Sequence, residues 1–246
     1  MMRVFIGLLL VLSACTHVGY DRVPRGTFSG TLLVVWTGPN ADSFLGDGDF
    51  IYVPLIGDEL TFTRGERAMA SGGSRIIQPE PFYTDGGSIP RSVQSLRGFN
   101  AWGYGPAYII HDWLFVARKC LNDEAAGLPE AEVTPEMRKI RDMSFAESAR
   151  VMAETIKTLV RDHSVQGGDT LSGPVISGVT AGPVSHRLWN ETGACKGLSD
   201  EDAQLVREIQ TGTKGRSLTA LLSSSRATPL RLSRTRDAFL YGYVKF

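Results

Sequence analysis

The chain has 246 residues, with 26 lysines and arginines balanced by 26 aspartates and glutamates. That balance argues against nucleic acid as the main partner, because nucleic-acid-binding domains show a net basic charge. A hydrophobic content of 42% is ordinary for a globular body, and the length suits one large domain, or one domain with an extension.

Arg3 precedes an apolar run, Val4–Leu12. The run is too short to cross a hydrocarbon core of about 30 Å as a helix, and no later run is long enough either. Leu12-Ser13-Ala14-Cys15 closes it with small residues ahead of a cysteine. This arrangement resembles the lipobox of bacterial lipoproteins. The resemblance implies that residues 1–14 are a signal peptide, that cleavage falls before Cys15, and that Cys15 receives lipid. Bacterial lipoproteins usually carry three acyl chains, palmitate among them, whereas a single chain anchors only marginally. Thr16 follows the cysteine where an aspartate would signal inner-membrane retention. By the same resemblance the protein is expected at the outer membrane, facing the periplasm, with the lipid on Cys15 as its membrane contact.

Setting Cys15 aside leaves Cys120 and Cys195. In an oxidising compartment a Cys120–Cys195 disulfide is expected. It would close a loop of about 75 residues and add roughly 4–5 kcal/mol on a chain-entropy basis. Two thiols too far apart to bond is the other reading.

Residues 15–26 read as a tether. Thr27–Thr37 is rich in Thr, Val and Leu and reads as a strand. Gly38–Gly48 is a turn-rich loop. Asp49–Pro54 and Glu59–Arg64 read as two strands joined as a hairpin, and Arg75–Gln78 as a short strand. Pro106 occupies a helix N1 position, and Ala107–Lys119 continues from it, apolar on nearly every side, as in a buried helix. A second helical stretch opens at Thr134-Pro135-Glu136. Phe145, Ala149, Met152, Ile156 and Leu159 then step by four and three, the spacing of one buried face. Ser144 with Glu147 forms a capping-box pattern, so a helix restarts there. Residues 164–185 are dominated by Gly, Ser, Thr and Val and read as loop or irregular strand. A short helix runs from Ser199-Asp200 to about Gln210. Residues 213–246 hold seven basic residues and one acid, and their last stretch, Phe239–Phe246, reads as a strand.

Two segments carry candidate chemistry: Thr84–Arg91 (TDGGSIPR) and His111–Phe115 (HDWLF). Gly86 and Gly87 free the backbone for a tight turn after Asp85. His111 and Asp112 fall in a stretch expected to be buried, and a buried ionisable pair is costly unless it is partnered. An aspartate on a glycine turn is a fitting partner for a histidine, since it fixes the tautomer and raises the ring's basicity. Asp85, His111 and Asp112 are therefore the candidate catalytic residues. A divalent cation, if one is used, would fall to Asp85 and Asp112.

The two motifs together resemble a family of bacterial and phage proteins that share a domain of unknown function. Thr84, Asp85, Ser88, Ile89, Pro90, Arg91, His111, Asp112 and Leu114 match its pattern. Phe115 stands at a tyrosine position, and Ala146-Glu147 where the family often has Ala-Asp. The resemblance covers roughly residues 50–160 and implies no established reaction.

Three reaction classes could draw on these residues. HD phosphohydrolases share only the letters HD and need further histidines, which His17, His163 and His186 do not supply in that arrangement. A serine hydrolase using Ser88 and His111 lacks the GxSxG elbow. A water-activating His–Asp site is loosely similar to secreted phospholipases A2, without their flanking cysteines. Against all three stands a purely structural role, with His111 and Asp112 tying the helix to the Asp85 turn. The expected fold is α+β: a small antiparallel sheet packed on two helices over residues 27–163, with a loop-rich C-terminal extension over 164–246. The expected function is a lipid-anchored envelope protein, as a His/Asp-dependent hydrolase acting on envelope material. The alternative is a non-catalytic binding or assembly lipoprotein in which the cluster is structural.

Overall fold

The structure is a computed structural model that describes residues 18–39, 48–66, 68, 74–86, 102–129, 132–163, 165, 172–213 and 239–246. Cys15 and the Ser88–Arg91 part of the first motif lie outside the described residues. The class is α+β. Seven strands form two antiparallel sheets and six helices pack around them among the described residues.

The segment expected as one strand is two: β1 (Thr27–Ser29) and β2 (Thr31–Pro39). Gly30 divides them at φ +83°, and a Cβ there would lie 2.0 Å from the Glu59 carbonyl oxygen. No other residue fits that crossing. The chain changes sheets at this point. β3 (Gly48–Tyr52) and β4 (Thr61–Thr63) part in the same way. β4 pairs with β1 and with β5 (Ile76–Ile77), giving the order β1-β4-β5. β3 pairs with β2 and with β6 (Phe82–Thr84), and β2 also pairs with β7 (Phe239–Lys245), giving β6-β3-β2-β7. The expected hairpin between residues 49–54 and 59–64 is therefore not formed. The intervening residues carry the chain from one sheet to the other.

Alternation along the larger sheet sorts its side chains onto two faces. Leu32, Val34, Tyr52 and Phe82 join the main core with the helices α1 (Gly105–Ala125) and α3 (Phe145–Asp162). Leu33, Val35, Ile51 and Val53 face the other way, onto Leu205, Val206 and Ile209 of α6 (Asp200–Thr213). The Leu32–Val35 run is apolar without a break because both faces are covered. Between α1 and α3 lies the single turn α2 (Pro135–Arg138), capped by Thr134. At α3 the Ser144 hydroxyl accepts from the Glu147 amide at 3.2 Å, the N-cap half of the expected box.

The described residues after 163 pack on the same sheets and helices as those before it. β7 completes the sheet, α6 covers its second face, and α4 (Ser172–Thr180) and α5 (Pro183–Trp189) pack on α3 and α1. Residues 172–180 and 183–185 are helical where loop or irregular strand was expected over 164–185. Ile176, Ser177, Ala181 and Trp189 are buried there, and this packing outweighs the poor helix propensity of Gly and Ser. The tether is also shorter than expected. From Tyr20 to Arg22 the chain forms a 3-10 turn. Lys157 on α3 donates to the carbonyls of Asp21 and Val23, each at 2.8 Å, and the Gly26 amide donates to Thr158 Oγ1 at 3.0 Å.

Cys120 on α1 and Cys195 are joined in a disulfide, with Cα atoms 4.4 Å apart. The buried Asp123 carboxylate beside it accepts from the amides of Gly193 (2.6 Å) and Cys195 (2.8 Å). These bonds hold the 193–195 loop against α1. Among the described residues no helix is long and apolar enough to cross a membrane.

Candidate functional site

Strand β6 and helix α1 bring the described parts of both motifs together. Thr84 ends β6 with its side chain buried toward α1. Its hydroxyl accepts from the Gly86 amide at 3.0 Å and donates weakly to Asp112 Oδ2 at 3.4 Å. Gly86 stands at φ +80°, the left-handed conformation the tight turn requires. Asp85 is exposed on that turn, close enough for its charge to act on Asp112.

His111 and Asp112 are neighbours on α1, about 100° apart around the helix. His111 Nδ1 lies 3.9 Å from Asp112 Oδ1, too long for a hydrogen bond. The His111 ring packs on Phe115 with centroids 4.9 Å apart, the contact expected one turn along a helix. Only 7% of His111 is exposed, and its Nε2 meets no hydrogen-bond partner among the described residues. The Asp112 side chain is 27% exposed. Burial pushes its carboxyl up to about 6. His111 and Thr84 oppose that rise, while the like charge of Asp85 adds to it. Such a carboxyl both holds and releases protons near neutral pH.

Tyr108 lies one turn earlier on the Asp112 face of α1. Its hydroxyl is buried without a hydrogen-bond partner among the described residues. Burial, then Tyr104 and Asp112, push its pKa up, so the phenol stays neutral and available as a donor. Sequence reading passed over Tyr108 as an ordinary apolar-face residue. Its spacing of four from Asp112 was the available signal.

A second charged cluster was also missed. Arg64, at the end of β4, is fully buried against α3. Its Nε donates to Glu154 Oε2 at 2.9 Å and its Nη2 to Glu154 Oε1 at 2.8 Å, a bidentate pair. Arg64 Nη2 also lies 2.5 Å from Glu147 Oε1, and Arg150 Nη1 lies 3.3 Å from Glu147 Oε2. Burial works against the Arg64 charge, but hydrogen bonds and attraction from Glu154 and then Glu147 hold its pKa above the ordinary value. Burial raises the Glu154 carboxyl against the pull of Arg64. Glu147 and Glu154 sit seven residues apart on one face of α3, a spacing that marks a shared surface. Their partner lies 90 positions from Glu154 in the chain, so no local pattern points to it.

Among the described residues no three His, Cys, Asp or Glu side chains converge to hold a metal ion. On the sheet's other face, Tyr83 donates to Asp202 and accepts from the Ser199 amide at 3.1 Å, which ties the start of α6 to β6. No protein-family model, curated protein or solved structure matches the chain. The likeness to the phage and bacterial family therefore stands on its two motifs alone.

Proposed function

We propose that the protein is a lipoprotein anchored through Cys15 and that Asp85, His111 and Asp112, with Tyr108, form an acid–base site for hydrolysis of envelope material. The observation that carries this reading is His111 Nε2, walled in yet unpartnered among the described residues. An unmet buried polar atom costs about 1–3 kcal/mol, and a reacting group or ligand that completes the bond is one explanation for such an exception. Asp112 supplies a carboxyl that titrates near 6, His111 a ring nitrogen able to accept or donate a proton, and Tyr108 a neutral hydroxyl. In this reading the attacking nucleophile is water, activated by the His–Asp pair.

A second reading has its own support. The Thr84 hydroxyl joins the Gly86 turn to Asp112, as a purely structural tie between β6 and α1 would. Full-length lipidated protein incubated with purified peptidoglycan and with phospholipid vesicles separates the two. In the hydrolytic reading one of these releases soluble product, and His111→Gln lowers the rate by about 100-fold or more with unchanged circular dichroism. No turnover on either material, together with a lower melting temperature for His111→Gln, leaves the structural reading in place.

A further inference from the structure

The 3-10 turn at Tyr20–Arg22 is fixed to the body. Lys157 holds the Asp21 and Val23 carbonyls, and Arg25 is paired with Asp162 at the end of α3. The Tyr20 ring lies against Gly173 on α4, where a Cβ would come within 2.6 Å of it. Four residues lie between Cys15 and Tyr20, and the five steps from one to the other reach at most about 18 Å. The polar layer of one leaflet takes up roughly 5–8 Å of it. A lipid on Cys15 therefore brings the α3–α4 side of the body down to the membrane surface.

The outward face of α4 on that side is apolar. α4 has no charged residue from Ser172 to Thr180. It buries Gly173, Ile176 and Ser177 and turns Pro174, Val175, Gly178 and Val179 outward. Val175 is 44% exposed, Val179 64%, and Val184 at the start of α5 69%, the last two being the most exposed large hydrophobic side chains among the described residues. Valines four apart on one helix, continued by a third on the next, form an apolar strip of the kind that seats at a lipid interface.

We infer that the outward strip of α4 and the start of α5 (Val175, Val179 and Val184) rests in the lipid headgroup layer beside the lipidated Cys15. The body is thereby held on the membrane in one orientation. This rests on the lipid-anchor reading above. α6, on the opposite face of the larger sheet from α3, then points away from the bilayer.

With Cys15 acylated and Cys120 bound to Cys195, Val179→Cys introduces a single free thiol for an environment-sensitive fluorophore. Gln204→Cys, exposed on α6, is the control. The full-length protein is placed in vesicles of phosphatidylethanolamine and phosphatidylglycerol containing brominated acyl chains. Quenching at position 179 is expected to exceed that at 204 by at least threefold, with a blue-shifted emission. Protein that floats with the vesicles while its two labels are quenched equally overturns the inference and leaves the anchor intact, as it would if the strip covered a protein partner. Protein that fails to float, with unmodified Cys15 by mass spectrometry, overturns the anchor and the inference with it.

Discussion

Two charged clusters lie on the same helical layer and are built on opposite terms. Around Arg64 the charges are deeply buried, and the guanidinium meets both carboxylates directly, with Arg150 adding a second positive charge at Glu147. Around Asp112 the groups are few and the contacts are long, and His111 and Tyr108 keep polar atoms without partners among the described residues, whereas the Arg64 guanidinium leaves only Nη1 so while its other nitrogens are engaged. The first arrangement locks β4 to α3 and leaves little room for chemistry. The second gives up stability; in the proposed hydrolytic reading it does so to keep protons transferable, a trade-off between stability and activity.

The largest effect should come from breaking the first cluster. Arg64→Leu leaves Glu147 and Glu154 facing each other in the core. It should cost about 3–5 kcal/mol, read as a lower urea midpoint. An outcome under 1 kcal/mol would erase the contrast between the clusters.

Asp112→Asn should act in the other direction. The folded chain holds the Asp112 proton to about pH 6, whereas an unfolded aspartate releases it near 3.9. Between these values the folded form binds more protons, so stability falls as pH rises through the window, and the penalty persists above it. A rise of this size corresponds to at most about 3 kcal/mol, and less for a part-exposed group. Asp112→Asn should therefore gain about 1–2 kcal/mol at pH 8, gain nothing at pH 3, and flatten the stability curve between pH 4 and 6. A loss at pH 8 would make Asp112 a structural group like Glu154.

The smallest effect tests whether the α3 cap serves the first cluster. Ser144→Ala removes the acceptor for the Glu147 amide and should cost about 1 kcal/mol. Combined with Arg64→Leu, the losses should be non-additive, because Glu147 belongs to both.

The sequence disclosed what local rules govern. Pro106 and the apolar residues after it mark the start of α1, and Ser144 with Glu147 marks that of α3. The HD pair drew attention to the open cluster because ionisable residues stood out in a buried helix. Pairing between distant segments was not legible. Gly30 splits one strand into two sheets because of the Glu59 carbonyl on a neighbouring segment, and β4 pairs with β1 rather than with its chain neighbour β3. Helix α4 forms from Gly, Ser and Val because α3 and Tyr20 pack against it, a contribution that composition does not carry. Arg64 gave no sign because its carboxylates come from a helix that begins some eighty residues later.

The position of β7 has a bearing on when this fold can form. Its residues pair with β2 from Thr31↔Lys245 to Trp36↔Phe239, and the Phe246 amide donates to the Gly30 carbonyl at 3.0 Å. One edge of β2 therefore waits for a partner made some two hundred residues later. Until residue 245 has left the ribosome, the larger sheet has no finished border, and closing it so late is slow because the joined segments are so far apart in the chain. If the protein is exported, as proposed, such late closure suits a chain that crosses a membrane before it folds.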